Sequence, residues 1–221
     1  MKNLHIHIEI NPELYTKNPD SSILGKKIIS NSIELINEIG FELFTFKKLA
    51  LKTNSTESSI YRYFENKHKL LIYLTSWYWT WMEYKLVFAT TNIESPSERL
   101  EKALELLTKP ILKDNDFSYV NEAILSEIIF SESIKAYHTK NVDKDNSIGS
   151  YSAYKSVVNR VGELILEINP TFKYPHMLIS TVIEGAHHQK YFSEHLPTLT
   201  DLPEDKEAIT NFYKELVFNF L

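Results

Sequence analysis

The stretch from Thr45 to Lys67 constrains this chain most, because its residue types follow the order of two short helices joined by a tight turn. Thr45 can cap the first helix, since its hydroxyl can accept a hydrogen bond from an unpaired backbone N–H. The inner face of that helix is apolar, with Phe46, Leu49 and Ala50. The turn that follows contains Asn54, a residue type that tolerates a left-handed backbone.

The second helix of this stretch begins after Thr56, another capping residue, and Glu57 suits the helix dipole in its first turn. Ile60 and Phe64 lie four residues apart and are expected to point into the core. The opposite face is expected to carry Ser58, Ser59, Tyr61, Arg62 and Tyr63. This arrangement of small, turn and aliphatic residues is typical of a helix-turn-helix, whose second helix can enter the major groove of DNA.

The composition favours an all-α globular protein. Of 221 residues, 43% are hydrophobic and only five are Gly, whereas a β-sandwich would need more turn residues. The chain has no Cys, no segment suited to a signal peptide and no apolar run long enough to span a membrane, so a cytoplasmic location is expected. Residues 1–70 carry ten basic and eight acidic side chains, and residues 71–221 carry 14 and 21, so a mildly basic head precedes an acidic body.

Apolar spacing predicts eight or nine helices. The long ones are expected at about 22–39, 67–91, 97–112, 117–137, 147–168, 176–195 and from 204 to the C-terminus. Gly40 should stop the first of these helices, and Asn66 should cap the second. Residues 139–147 have the most loop-like composition in the body, so a loop is expected there, and of all segments of the body this one is the most prone to disorder.

Residues 1–20 are predicted to form an N-terminal arm. Apolar residues alternate with polar ones from Leu4 to Ile10, which is a strand pattern. A lone strand is not stable, so the arm must dock on the body, pair with a second copy or stay disordered. The pair His5 and His7 could bind a metal or form a solvent-facing edge, and the arm could also reach toward DNA.

Four segments carry a family resemblance: G40-F41, T45-F-K-K-L-A50, S55-T-E-S-S-I-Y-R-Y-F64 and K67-H-K-L-L71. In these motifs and their spacing the chain resembles the TetR family of bacterial transcriptional regulators over about residues 22–71. The resemblance implies a homodimeric, ligand-responsive repressor that binds a pseudo-palindromic operator. It divides the chain into the arm (1–20), a DNA-binding domain (21–68) and a dimerisation and ligand-binding domain (69–221).

The hydroxyl and charged groups of the motif are expected to contact DNA. The predicted set is Thr45, Lys47, Lys48, Thr56, Glu57, Ser58, Ser59, Tyr61, Arg62, Tyr63 and Lys67. Glu57, Ser58 and Arg62 are assigned to base edges, because Arg can pair with guanine and Glu can accept from cytosine. The alternatives are a dipole-stabilising role for Glu57 and a phosphate contact for Arg62. Lys67 is expected to bind a phosphate at the start of its helix.

Aromatic residues at helical spacing could line a pocket for a hydrophobic or aromatic effector, or could be core. This predicted pocket set is Trp77, Trp81, Tyr84, Phe88, Tyr119, Phe130 and Tyr137. In the TetR family the last two long helices form the dimer interface. The resemblance therefore implies interface roles for Glu184, His187, His188, Tyr191, Phe212 and Leu216, although the spacing of Glu184, His188 and His195 could also hold a metal.

The expected partners are double-stranded operator DNA, a second copy of the chain and a small effector, with no cofactor, no metal and no membrane. The sequence contains no phosphate-binding Gly-rich loop, no G-x-S-x-G elbow and no H-E-x-x-H pair, so an enzyme is not expected. The alternative function is a helical ligand-binding or scaffolding protein with lost or altered DNA binding.

Overall fold

A computed structural model describes residues 8–112, 119–201 and 207–221. In these residues the chain forms eleven α-helices and three short 3-10 turns, and no strand. The all-α prediction is confirmed. The residues fall into two compact units: unit 1 lies within Met1–Trp81 and Ile111–Ala153, and unit 2 lies within Met82–Pro110 and Tyr154–Leu221.

Unit 1 begins with a segment that docks on the helices. It contains 3-10 turns at Pro12–Leu14 and Pro19–Ser21 and is followed by helix α1, Ile23–Leu43. The main-chain N–H of Thr16 donates to the carbonyl of Tyr63 at 2.8 Å. Ile8 and Ile10 are buried but are not part of a strand, so the predicted strand is absent from residues 8–10. Its first half, with His5 and His7, lies outside the described residues.

Helix α1 changes direction at Gly40, where φ is 73° and ψ is 158°. This backbone conformation is almost confined to glycine. The predicted stop at Gly40 is therefore a kink, after which a further helical turn continues to Leu43. The N–H of Phe41, freed by the kink, donates to the Glu132 carboxylate at 3.1 Å.

The helix-turn-helix consists of α2, Phe46–Thr53, and α3, Glu57–Tyr61. Helix α4, Lys67–Thr90, follows, and its first turn is capped by Asn66 as predicted, since the Asn66 side chain accepts from the N–H of Lys69 at 2.9 Å. Helix α1 packs against α2, and α2 packs against α3. The core of this region is apolar and fully enclosed, with Ile28, Phe44, Leu49, Ile60 and Phe64 all at 0% exposure.

The rest of unit 1 contains three shorter helices: α6, Glu122–Ser131, α7, Ser133–Tyr137, and α8, Val142–Ser147. Helix α5 belongs to unit 2 and is described below. The sequence predicted one helix over 117–137, but Glu132 interrupts it, and residues 117 and 118 lie outside the described part of the chain. Helix α6 packs against α1.

The prediction of a loop at 139–147 is wrong for residues 142–147, which form a helix. Helix α8 forms there because Asp145, only 3% exposed, accepts hydrogen bonds from His68 at 3.1 Å and Lys69 at 3.0 Å. These tertiary contacts order a segment whose local composition is loop-like.

Unit 2 is built from α5, Pro96–Thr108, α9, Ser152–Ile168, α10, Pro175–His195, and α11, Ala208–Phe220, with a 3-10 turn at Pro197–Leu199. Helix α5 ends four residues earlier than predicted, α9 begins five residues later, and residues 202–206 before α11 lie outside the described residues. Helices α5, α10 and α11 pack on one another. Their shared core includes Leu100, Leu104, Ile179, Ile183 and Val217, each at 0% exposure.

Among the described residues, no helix combines the length and the apolar character required to cross a membrane.

Candidate nucleic-acid interface

The turn between α2 and α3 is closed by the residues that the sequence predicted. Asn54 adopts a left-handed conformation with φ 52° and ψ 49°. Its N–H and that of Ser55 donate to the carbonyls of Leu51 and Ala50, at 3.2 and 2.9 Å, so the last carbonyls of α2 are satisfied. The turn thus fixes the angle at which α3 leaves α2.

Both helices of the motif have the predicted N-caps. The Thr45 hydroxyl accepts from the N–H of Lys48, and the Thr56 hydroxyl accepts from the N–H of Ser59, each at 3.2 Å. The Ser59 hydroxyl is also paired with that of Thr56 at 2.8 Å. The hydroxyls of Thr56 and Ser59 therefore already form hydrogen bonds at the N-terminus of α3.

Helix α3 has one fully buried and one exposed face. Ile60 is 0% exposed, whereas Glu57, Ser58 and Arg62 are exposed to solvent. Tyr61 is 50% exposed, and its ring packs edge-on against Phe46 with the ring centroids 5.0 Å apart. The three side chains assigned to base edges therefore lie on the open side of the motif.

The placement of Tyr63 on the outer face is wrong. Its side chain is 3% exposed, and its hydroxyl lies 2.8 Å from that of Ser22, the N-cap of α1. Residues 62–64 no longer follow the helical spacing, because α3 ends at Tyr61. Tyr63 therefore joins Phe64 inside the unit, and its hydroxyl connects the end of the motif to the start of α1.

Lys67 occupies a structural position that the sequence did not reveal. Its ammonium donates to the carbonyls of Phe41, Glu42 and Phe44, at 3.0, 3.2 and 3.3 Å. It also lies 4.8 Å from the centroid of the Phe41 ring. Lys67 thus caps the carbonyl end of α1 beyond the Gly40 kink. The missing signal was the unpaired carbonyls that a kink leaves behind.

The other two predicted lysines differ from each other. Lys48 is exposed, and its ammonium donates to the carbonyl of Leu43 at 2.9 Å. Lys47 is exposed and forms no ion pair or side-chain hydrogen bond within the part of the chain that the structure describes. Lys47 is therefore the lysine of this pair whose charge is not already used by a protein contact.

The seven predicted pocket residues lie in different environments. Trp77 and Trp81 are 0% and 1% exposed, and their rings stack with the centroids 6.5 Å apart. The Trp79 indole N–H donates to the Tyr137 hydroxyl at 2.9 Å, and Phe130 packs edge-on against Tyr78. Of the other pocket residues, Tyr119 is half-buried, and Tyr84 and Phe88 are 38% and 59% exposed. None of the seven lines the one cavity described below.

The residues assigned to the dimer interface lie on α10 and α11. His188 is exposed, and Tyr191 and Phe212 are 50% and 57% exposed. Glu184 accepts a hydrogen bond from the Tyr154 hydroxyl at 3.1 Å, and Leu216 is half-buried. Burial lowers the pKa of His187 to about 3, with Lys190 and His188 adding to the shift, so His187 is neutral near pH 7. The described residues contain no group of three or more His, Asp or Glu that could hold a metal, and Glu184, His188 and His195 form no such group.

Comparison with known proteins identifies the N-terminal region. The model of the bacterial regulatory proteins of the tetR family matches residues 28–74, which cover α1 from Ile28, the helix-turn-helix and the start of α4. No curated protein sequence matches this chain significantly.

Several solved structures share the fold. The fatty acid degradation regulator FadR from Bacillus halodurans superposes with a TM-score of 0.59 at 18% identity, over 88% of this chain and 98% of that one. AibR in complex with isovaleryl coenzyme A and operator DNA gives 0.57 at 16% identity, over 86% and 96%. A TetR-family transcriptional regulator, so described, from Mesorhizobium loti gives 0.54 at 12% identity, over 93% and 97%.

These observations agree with one another. The matched segment contains the capped α2, the left-handed turn at Asn54 and the exposed face of α3, and the fold beyond it is shared with TetR-type structures. Members of this family are regulators, which supports the expectation that the chain is not an enzyme. Residues 28–74, which contain the helix-turn-helix, therefore match the tetR family of bacterial regulatory proteins, and the fold of the chain resembles that of a TetR-family structure.

Proposed function

We propose that this protein is a cytoplasmic, sequence-specific transcriptional repressor that binds a pseudo-palindromic operator as a homodimer. The observation that carries the proposal is that the two faces of α3 differ. The Ile60 side chain is fully buried, whereas Glu57, Ser58 and Arg62 are exposed to solvent. A helix held in this way can place polar side chains against base edges in the major groove.

Base recognition is assigned to the exposed side chains of α3 and to Arg62, the residue that follows it. Arg62 can donate two hydrogen bonds to a guanine, Glu57 can accept from a cytosine amino group, and Ser58 can do either. Because α3 spans only Glu57–Tyr61, each protomer would read a short half-site.

Phosphate contacts are assigned to the rim of the motif, with Thr45, Lys47, Lys48, Thr56 and Tyr61 as the donors. Phosphate contacts supply affinity and orient the protein on the duplex without reading its sequence. Lys67 and Tyr63 contribute indirectly in this account, because their polar groups bond to α1 and its N-cap. The hydroxyl of Ser59 supports α3 in the same indirect way.

A dimer is required because one such helix provides little affinity and specificity. Two α3 helices about 34 Å apart could occupy successive major grooves on one side of the duplex. The exposed Tyr191 and Phe212 support an interface formed by α10 and α11, since large apolar side chains open to solvent commonly mark association surfaces.

A small hydrophobic or aromatic effector is proposed to release the operator. The support is by analogy with AibR, whose structure contains isovaleryl coenzyme A and operator DNA. In this chain Trp77 and Trp81 are fully buried, so an effector that reaches them must displace side chains. Binding of that kind would favour a different spacing of the two α3 helices.

Selection of binding sites from a random duplex library tests the proposal. The full chain is incubated with the library at about 0.1 M salt, and bound duplexes are amplified and sequenced over several rounds. We expect enrichment of an inverted repeat with half-sites one helical turn apart. Recovery of unrelated sequences, with affinity set by salt alone, would instead favour a ligand-binding or scaffolding protein that has lost sequence recognition.

A further inference from the structure

A polar cavity of about 80 Å³ lies in unit 1, where residues 8–20 pack against α4. Its wall contains the carboxylates of Glu9 and Asp20, the amide of Asn18 and the phenols of Tyr15 and Tyr73. This volume has room for a group of a few heavy atoms. None of these residues belongs to the helix-turn-helix or to the predicted effector pocket.

The wall of the cavity is held in place by contacts on several sides. The Asn18 side chain accepts from the N–H of Asp20 at 2.8 Å, and the Tyr119 hydroxyl donates to the Asp20 carboxylate. The carbonyl of Pro19 lies so close to Gly25 of α1 that any side chain at position 25 would overlap it. The segment from Asn18 to Asp20 is therefore packed directly on α1.

Tyr73 provides the observation that points to a ligand. Its side chain is 1% exposed and is fixed edge-on against the rings of Tyr15 and Phe64, with centroid distances of 6.0 and 5.3 Å. Its hydroxyl forms no hydrogen bond with any described residue, and Tyr73 is one of the residues that line the cavity. A hydroxyl that has no protein partner can be satisfied only by a group from outside the chain. The partner of Tyr73 is therefore expected inside the cavity.

The charge around the cavity indicates what kind of ligand could be the partner of Tyr73. Neither Glu9 nor Asp20 forms an ion pair within the described residues. The nearby lysines point to aromatic rings instead: Lys17 lies 5.1 Å from the centroid of Tyr63, and Lys26 lies 5.4 Å from that of Tyr119. Burial raises the pKa of Tyr15, and the charges of Glu9 and Asp20 raise it further, which is the effect of a negative potential. The cavity therefore favours a cation.

We propose that this cavity binds a small primary amine in its ammonium form. An ammonium group has three N–H donors, which match the acceptor oxygens of Glu9, Asp20 and Tyr73. The phenol rings around it add a favourable environment for a cation. A divalent metal fits less well, because the described residues offer no group of three or more ligating side chains and protonated phenols are weak ligands. The proposal is independent of DNA binding.

Isothermal titration calorimetry of the full chain with methylammonium chloride tests the site. Both solutions are kept at one ionic strength with sodium chloride, and tetramethylammonium chloride serves as a probe of equal charge without N–H donors. We expect saturable binding of methylammonium with a Kd of roughly millimolar, as befits so small a ligand, and no saturation with tetramethylammonium. Equal binding of both probes would show that N–H donors are not recognised, and binding of neither would show that the cavity holds only water; either result would overturn the proposal.

Two tyrosine variants separate binding from folding. Tyr73→Phe should weaken methylammonium binding about tenfold without lowering the thermal midpoint of the free protein, because this hydroxyl has no protein partner to lose. Tyr151→Phe is the matched control: its hydroxyl donates to the carbonyl of Ala136 at 2.8 Å, so its loss should lower the midpoint and leave binding unchanged. Unaltered binding in Tyr73→Phe would overturn the proposal.

Discussion

At the scale of single residues, two lysines near the helix-turn-helix differ in whether their charge is used by contacts within the protein. Lys67 donates to three main-chain carbonyls at the end of α1, whereas the Lys47 side chain is exposed and has no hydrogen bond or ion pair among the described residues. Removing Lys67 leaves the partly buried carbonyls of Phe41 and Phe44 without their donor, whereas removing the solvated charge of Lys47 leaves no group without a partner.

Lys67→Ala is therefore expected to lower the free energy of unfolding by about 1–3 kcal/mol. Lys47→Ala should change it by less than about 0.5 kcal/mol but weaken binding to every DNA sequence alike. Urea denaturation and fluorescence anisotropy measure the two effects. A Lys67→Ala protein as stable as wild type would show that the carbonyl contacts are not needed.

Asp145 connects α8 to the start of α4 and gives the stability of unit 1 a pH dependence. Burial opposes ionisation of Asp145, but the hydrogen bonds from Lys69 and His68 outweigh it, so its pKa lies below the usual range. A carboxyl whose pKa is lowered by folding stabilises the protein above its unfolded pKa, near 4, and loses that contribution as the pH falls through its folded pKa.

Asp145→Asn is expected to cost about 1–3 kcal/mol of unfolding free energy at pH 7. The difference between wild type and variant should begin to shrink as the pH falls below about 4, where Asp145 takes up a proton in the unfolded state, and should vanish only below its lower folded pKa, where both states are protonated. Urea denaturation at a series of pH values measures this difference. A difference that does not vary down to pH 3 would mean that the Asp145 charge contributes nothing.

These residues also show how far sequence reasoning reached at this scale. Thr45, Asn54, Thr56 and Asn66 were predicted correctly, because caps and turns depend on groups only a few residues away. The roles of Lys67 and Asp145 were not predictable, since their partners lie more than twenty residues away along the chain.

At the scale of elements, the kink in α1 connects the helix-turn-helix to α6 and α7. Gly40 breaks the helix, the freed N–H of Phe41 donates to Glu132, and Glu132 and Glu42 both pair with Lys135. The carbonyls beyond the kink are capped by Lys67. The kink at Gly40 thus exposes an N–H that bonds to Glu132 at the end of α6, and it is followed by carbonyls that bond to Lys67 at the start of α4.

Gly40→Ala should destabilise the protein by about 2 kcal/mol, because the backbone at this position is nearly confined to glycine. The strain would arise from the backbone alone, since a Cβ at position 40 would contact nothing within 4 Å. Asn37→Ala is the matched control: this exposed residue of the same helix should tolerate alanine without loss. Thermal and urea unfolding compare the two, and equal stability would contradict the account of the kink.

Element boundaries show the same limit on prediction. Helices α4 and α10 were predicted to within a residue or two because long apolar repeats define them and because Asn66 caps α4 and Pro175 begins α10. The predicted helix over 117–137 is divided at Glu132, and the predicted loop contains α8, because in both cases a distant partner outweighs local preference.

At the scale of the whole molecule, the proposed dimer would have to hold the two copies of α3 at the spacing that DNA requires. The exposed aromatic side chains of α10 and α11 carry this proposal, and Phe212 is 57% exposed. The division into an arm, a DNA-binding domain and a dimerisation domain remains a prediction, as does the identity of the effector.

Sedimentation equilibrium should give twice the chain mass of 25.8 kDa for the wild type at micromolar concentration. Phe212→Lys should raise the dimer dissociation constant at least about tenfold, since a buried interface aromatic is replaced by a charge. Ile134→Lys, on a 66% exposed residue of unit 1, is the matched control and should remain dimeric. A monomeric wild type would remove the basis for a palindromic operator.

The central claim is that α3 reads DNA sequence, and the most direct test is the affinity ratio between a selected duplex and a scrambled one. Fluorescence anisotropy is measured at fixed salt for wild type, Arg62→Ala and the control Lys173→Ala, which alters an exposed residue of unit 2. We expect Arg62→Ala to reduce the ratio by about tenfold or more, and Lys173→Ala to preserve it. A wild-type ratio near one, or a ratio unchanged in Arg62→Ala, would contradict the claim.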